Sequence, residues 1–313
     1  MSQSQPLRIE SPDYACFTTS RCINSALWFV NNNALQQRIL GCTAKYQEKY
    51  GVRLYALSFE GSHIHHTAHF NEGTRAPFYR DLNARTAEAV RYLCPQFLGG
   101  PLFERRYAEQ AVPTNEDILD QFFYTVLQPV QDGLCERISD YPGYNCFHDA
   151  SLGITREFEV VDWARFNAAR RSNPQAKKSD YTTVHKLTYE RLPGFEHLSK
   201  QEYRNMMLQE LEKRRAEIVA KHKAAGRTFL TRDELLKVVP GTLAKSPKKS
   251  TRHCKRPLVL TRCPLARKNY LDWYFSVYER YKNAVKRYLA GDATAKFPPG
   301  TYKPPGPFVP TPA

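Results

Sequence analysis

The chain has 313 residues, 42% of them hydrophobic and 12% aromatic, with a formal net charge of +15. That is enough apolar material for a real core in one large domain, or in one of ordinary size with an extension. No apolar run approaches the roughly 20 residues that cross a bilayer. Met1 to Pro6 lacks the charged, apolar and small-residue succession of a signal peptide, so the expected setting is cytoplasmic, with no membrane partner.

Eight cysteines (Cys16, Cys22, Cys42, Cys94, Cys135, Cys146, Cys254 and Cys263) are scattered without a C-x-x-C pair and read as buried or idle thiols in a reducing compartment. Charge is divided unevenly. Residues 1–150 carry 13 basic against 16 acidic side chains, a net of −3, whereas residues 151–313 carry 33 against 15, a net of +18. A polyanion held by the second half is the natural partner, because phosphate neutralisation supplies most non-specific nucleic-acid affinity. A basic surface kept only for solubility is the plainer alternative.

In chain order, Tyr14 to Ser20 reads as a strand. Asn33 to Tyr50 reads as an amphipathic helix, with Leu35, Ile39, Cys42, Ala44 and Tyr46 near helical spacing and Gly51 at its end. Val52 to Phe59 and His63 to Phe70 are β-rich runs joined by Glu60-Gly61-Ser62, a predicted hairpin. A second helix is predicted over Ala76 to Cys94, and a last strand within Leu102 to Val112. Thr114 then caps a third helix with acidic residues in its first turn; Ile118, Leu119, Phe122 and Val126 form its buried stripe and Gly133 stops it. Strand, helix, two strands, helix, strand predicts an α+β fold, a ferredoxin-like antiparallel sheet with helices on one face.

After Phe147 the character changes. Residues 157–171 still carry apolar side chains, Ser172 to Asp180 reads as a polar linker, and Ser199 to Gly226 as a charged helix touching the rest through Met206, Met207, Leu211 and Ile218. Lys245 to Arg256 is a basic loop without a core-forming pattern. Asn269 to Leu289 is helical, with Tyr270, Trp273, Tyr274, Tyr278 and Tyr281 interleaved with Arg267, Lys268, Arg280 and Lys282; the aromatics either stack on bases or pack back on the rest of the chain. A Pro-rich end from Phe297 should run extended. The division is therefore residues 1–150, and 151–313 as a basic, mostly helical extension.

Chemistry concentrates at two places. In a strand, His63 and His65 share a face while Ile64 and His66 turn the other way, and two imidazoles on one face can share a divalent ion. His69 has the parity of His63 but lies farther along, in contact with substrate or in no special role. Tyr124 and Gln128 stand one helical turn apart, away from the buried stripe. The Gln128 carbonyl is available to a metal and the Tyr124 phenol is directed at the same centre. Pro129 removes the backbone donor to the Thr125 carbonyl and favours a kink beside the site.

Three separated stretches carry a resemblance: Leu54-Tyr-Ala-Leu-Ser-Phe-Glu-Gly-Ser-His-Ile-His65; Gly100-Pro-Leu-Phe-Glu-Arg-Arg-Tyr107; and Phe123-Tyr-Thr-Val-Leu-Gln-Pro-Val-Gln-Asp-Gly-Leu134 with Asp140-Tyr-Pro142. In order and spacing, residues 8–150 resemble the REP-associated tyrosine transposases of the HUH superfamily. The resemblance implies a DNA transposase that cleaves and rejoins single-stranded or hairpin DNA. Tyr124 would be the nucleophile, forming a 5′-phosphotyrosine link, and His63, His65 and Gln128 would hold Mg²⁺ or Mn²⁺. Arg105, Arg106, Lys248, Lys249, Arg252, Lys255 and Arg256 are the candidate DNA-binding residues, and deleting residues 172–313 should weaken binding and flatten its salt dependence. REP-associated members generally carry Asn where Gln128 stands, whereas the insertion-sequence branch carries Gln. That departure leaves open a homodimer in which the tyrosine helix is exchanged. Two other readings compete: a domesticated hairpin-binding protein that does not cut, and a metal-storage or sensory site on His63, His65, His66 and His69, against which the parity of His66 counts.

Overall fold

β1 (Ala15–Arg21), α1 (Asn33–Tyr50), β2 (Arg53–Phe59), β3 (His63–His69), α2 (Arg75–Leu93) and β4 (Ala108–Val112) follow one another in a computed structural model that describes residues 6–244 and 256–306. The strands form an antiparallel sheet in the order β2-β3-β1-β4, which is the ferredoxin-like arrangement and makes the fold α+β. Asn32 caps α1 by accepting from the Leu35 N–H, and Gly51 closes it at φ 61°, the left-handed conformation that glycine tolerates best. Every predicted core position of that helix is buried.

The period of two in β3 decides what lies where. His66 turns toward α2, with its ring centroid 5.5 Å from that of Tyr79 and 6.2 Å from that of Phe78. Residues of the opposite parity face a third helix, α3 (Asn115–Val126), where Thr67 Oγ1 and Thr125 Oγ1 meet at 3.3 Å. Helices α1 and α2 therefore pack together on one face of the sheet, and α3 crosses the other.

Both sheet edges are covered, which removes unpaired backbone that would otherwise recruit other strands. On the β2 side, Phe59 N–H donates to Tyr144 O at 2.9 Å and Cys146 N–H to Leu57 O at 3.1 Å. On the β4 side, Ala111 N–H donates to Leu258 O at 2.9 Å and Leu260 N–H to Ala111 O at 2.8 Å, so a C-terminal segment adds itself to the sheet. The first of these covers admits only glycine at position 143. A Cβ there would lie 2.2 Å from Tyr141 Cε1 and 2.6 Å from the Phe59 carbonyl oxygen. Gly143→Ala should therefore destabilise the protein by at least about 2 kcal/mol, seen as a lower urea midpoint.

After α3 the chain adds α4 (Gln128–Gln131) and, beyond Gly133, α5 (Phe147–Leu152) and an antiparallel hairpin of β5 (Arg156–Val161) and β6 (Thr182–Leu187), which packs on α1. The stretch read as a polar linker lies inside this hairpin, after α6 (Trp163–Ser172). Helix α7 (Lys200–Ala224) opens with a Ser199–Glu202 capping box and buries Tyr203, Met207, Leu211, Val219 and His222. Met206 and Ile218 are only partly buried. After the short α8 (Arg232–Leu236), α9 (Pro264–Leu289) buries Tyr270, Tyr274 and Val277 in a second cluster with Ile9, Ala111 and Val259. Those aromatics pack; they are not free to stack on bases. Because α7 shares the main core with the sheet, deleting residues 172–313 would expose that core and report on folding before DNA binding. Among the described residues no helix is long and apolar enough to cross a membrane.

Burial also sets a pH dependence. Desolvation pushes His66 down to about 3, and His69, whose Nδ1 pairs with Tyr55 Oη at 2.9 Å, down to about 4. These histidines are neutral when folded and charge near pH 6.5 when unfolded, so stability is present above that value and lost as pH falls toward 4. His66→Phe should remove one such proton, flattening the decline in urea stability between pH 7 and 5 by up to about 1.4 kcal/mol per pH unit.

Candidate active site

The register of the hairpin brings the first part of the site together. Ser58 pairs with His65 across β2 and β3, and Arg21 pairs with His63 across β1 and β3. The rings of His63 and His65 lie 4.5 Å apart between centroids at 89°. Both are buried. His63 Nδ1 lies 3.1 Å from Ser62 Oγ, and His65 Nδ1 lies 3.0 Å from Thr19 Oγ1. The His65 ring stacks on Phe17 at 5.1 Å.

Helix α3 supplies the second part. Its start is held by a capping box between Thr114 and Asp117, and its buried side carries Ile118, Phe122, Phe123 and Val126. The helix breaks at Leu127, with φ −91° and ψ 2°, and restarts as α4 with Pro129 in its first turn, the break that the missing proline donor favours. Tyr124, on the sheet-facing flank, sets its ring edge-on to Phe17 at 5.5 Å and 6.3 Å from the His65 centroid in the same chain. It is 38% exposed. Gln128, beyond the break, is buried.

Among the described residues, His65 Nε2 and Gln128 Oε1 are both buried without a hydrogen-bond partner. Burial and the neighbouring His63 hold His65 well below the ordinary histidine range, so its imidazole is neutral. In the tautomer that carries its proton on Nδ1, toward Thr19 Oγ1, the Nε2 lone pair is available. A neutral imidazole and an amide oxygen are donor types that a divalent ion takes. Among the described residues no three His, Cys, Asp or Glu side chains form a metal-holding group.

No family model and no curated protein matches the chain. Among solved structures, it is similar over 47% of its length to 84% of a REP-associated tyrosine transposase bound to a REP hairpin, at 19% identity and a TM-score of 0.38.

The remaining sequence candidates are dispersed. Arg105 and Arg106 are exposed on the loop before β4, a loop that joins the end of β1 through Glu104 N–H to Arg21 O at 3.0 Å. Arg256 is exposed, and Lys248, Lys249, Arg252 and Lys255 lie outside the described residues. His66 and His69 take no part in the site.

Several residues at the site escaped sequence reasoning. Arg21 acquires its place only through strand pairing. Glu60 is buried with neither carboxylate oxygen partnered among the described residues, and burial, helped by Asp132, holds its carboxyl well above the usual range. His222 of α7 pairs through Nε2 with the Gln131 carbonyl at 3.0 Å and so braces the segment that carries Gln128. Of the groups involved, only Asp132 had a local signal, its one-turn spacing from Gln128.

Proposed function

We propose that the chain is a DNA-strand transesterase of the transposase type, acting on single-stranded or hairpin DNA with Tyr124 as nucleophile. The observation that carries the reading is the meeting of a partly exposed tyrosine with a buried histidine pair; among the described residues, His65 Nε2 and, one turn after Tyr124, Gln128 Oε1 find no hydrogen-bond partner.

His63, His65 and Gln128 would hold Mg²⁺ or Mn²⁺, which when bound supplies Lewis-acid polarisation of the scissile phosphoryl group. The rest is the work of the chain. Phe17 fixes the phenol ring from one side and stacks on His65, so nucleophile and ligand are oriented by the same side chain. Thr19 Oγ1, 3.0 Å from Nδ1, holds the orientation of the His65 ring. The Tyr124 Oη forms a bond to phosphorus as the bond from phosphorus to the 3′ oxygen breaks; the phenolic proton leaves to solvent and the departing 3′ oxygen takes one up. The products are a 5′-phosphotyrosine link and a free 3′-hydroxyl. Because the phosphoester is exchanged for another, the step reverses without ATP.

Incubation with labelled hairpin DNA and Mg²⁺ or Mn²⁺, followed by a denaturing gel, tests this. A labelled covalent adduct is the expected result. Tight binding without any adduct would favour the competing reading of a hairpin binder that does not cut.

A further inference from the structure

Tyr124 opens onto a groove of about 430 Å³ bounded by α3, α7 and residues 259–267. Its cations, Arg214, Lys221, Arg262 and Arg267, all come from the basic second half of the chain. They reach the tyrosine for a structural reason: the 258–260 segment is hydrogen-bonded to β4, and the chain that leaves it carries Arg262 and Arg267 past the mouth of the site.

The four cations are not equivalent. Arg214 is fixed, donating to Glu210 at 2.6 Å and Asp120 at 2.8 Å with its guanidinium 4.9 Å from the Phe123 ring centroid. Arg262 touches the other Asp120 oxygen at 3.3 Å while its side chain is 88% exposed. An ion pair so exposed contributes little and exchanges readily for a phosphate, with which arginine makes shorter, bidentate bonds. Arg267 is exposed and held by one bond to Thr261 O at 2.7 Å. Of the three acidic lining residues, Asp117 is engaged in the α3 cap, Asp120 is shared by two arginines, and Glu217 stands exposed on α7, leaving four cations against them. The volume suits a nucleotide, and the polar walls suit its charge.

We infer that this groove binds the single DNA strand flanking the scissile phosphate, with Arg262 and Arg267 taking its backbone phosphates and Asp120 yielding Arg262 to them. This rests on the transesterase reading above and deepens it. The phosphate contacts position the strand and read no sequence.

The test is fluorescence anisotropy with a labelled single-stranded oligonucleotide over a series of salt concentrations, with thermal melts to confirm folding. Arg262→Ala/Arg267→Ala should weaken binding at least about tenfold and lower the log–log salt slope by about 1.4, the value for two phosphate contacts to a single strand. Asp120→Asn should leave binding as tight or tighter. Removing two equal charges on α6, across the sheet from α3, with Arg170→Ala/Arg171→Ala should change affinity less than twofold. Wild-type affinity and slope in the Arg262/Arg267 variant, or an equal loss in the α6 variant, would overturn the groove while leaving the Tyr124 adduct, and hence the transesterase reading, intact. Conversely, absence of the adduct in the wild type together with the expected binding loss would remove the chemistry and keep the groove.

Discussion

Replacing Tyr124 with phenylalanine is expected to abolish the covalent protein–DNA adduct and to lower strand cleavage by at least about a thousandfold, the scale on which enzymes respond to loss of a nucleophile. The substitution removes one oxygen from a ring that is 38% exposed and leaves its edge-on contact with Phe17 in place, so folding and DNA affinity should stay near wild type. That combination separates chemistry from structure. Adduct formation is read on a denaturing gel and binding by anisotropy on the same preparations. An adduct of undiminished yield in Tyr124→Phe would sink the assignment, and peptide mapping would then show which tyrosine carries the DNA.

The second large effect concerns His65. His65→Ala should eliminate Mn²⁺ binding, followed by electron paramagnetic resonance on the protein without DNA, and reduce adduct formation by at least about 100-fold. Because the ring is buried and stacked on Phe17, truncation also leaves a cavity worth about 2–4 kcal/mol of stability; a urea melt separates that loss from the metal effect. Thr19→Val gives a gentler comparison. It keeps the fold and both histidines while removing the partner of Nδ1, and Mn²⁺ affinity should fall about tenfold. Wild-type Mn²⁺ affinity in His65→Ala would refute the proposed ligand set.

How much of this was legible beforehand differs element by element. Helix α1 was readable to the residue, because its cap, its apolar period and its terminal Gly51 are all local signals. The break after Val126 was readable from Pro129 alone, since a missing backbone donor acts within one turn. The opposite orientations of His65 and His66 followed from strand parity, and they lie on opposite faces of the sheet. The hairpin of β5 and β6 was not legible. Its strands are charged and mostly exposed, and they owe their stability to packing on α1.

The sequence by itself determined the local elements and the chemical types available: two imidazoles one strand period apart, a phenol and an amide one helical turn apart, and a concentration of positive charge in the second half. Tertiary structure alone decided which of those groups meet. Arg21 reaches the histidine pair through the β1–β3 register, and Arg262 and Arg267 reach Tyr124 because a segment nearly 150 residues from Ala111 in sequence pairs with it on β4. Such contacts leave no periodic trace, because the hydrogen bonds that hold them are made by backbone groups that every residue carries. The same holds for the aromatic residues of α9. Their spacing announces an amphipathic helix, but only the apolar patch of Ile9, Ala111 and Val259 commits that face to packing rather than to DNA.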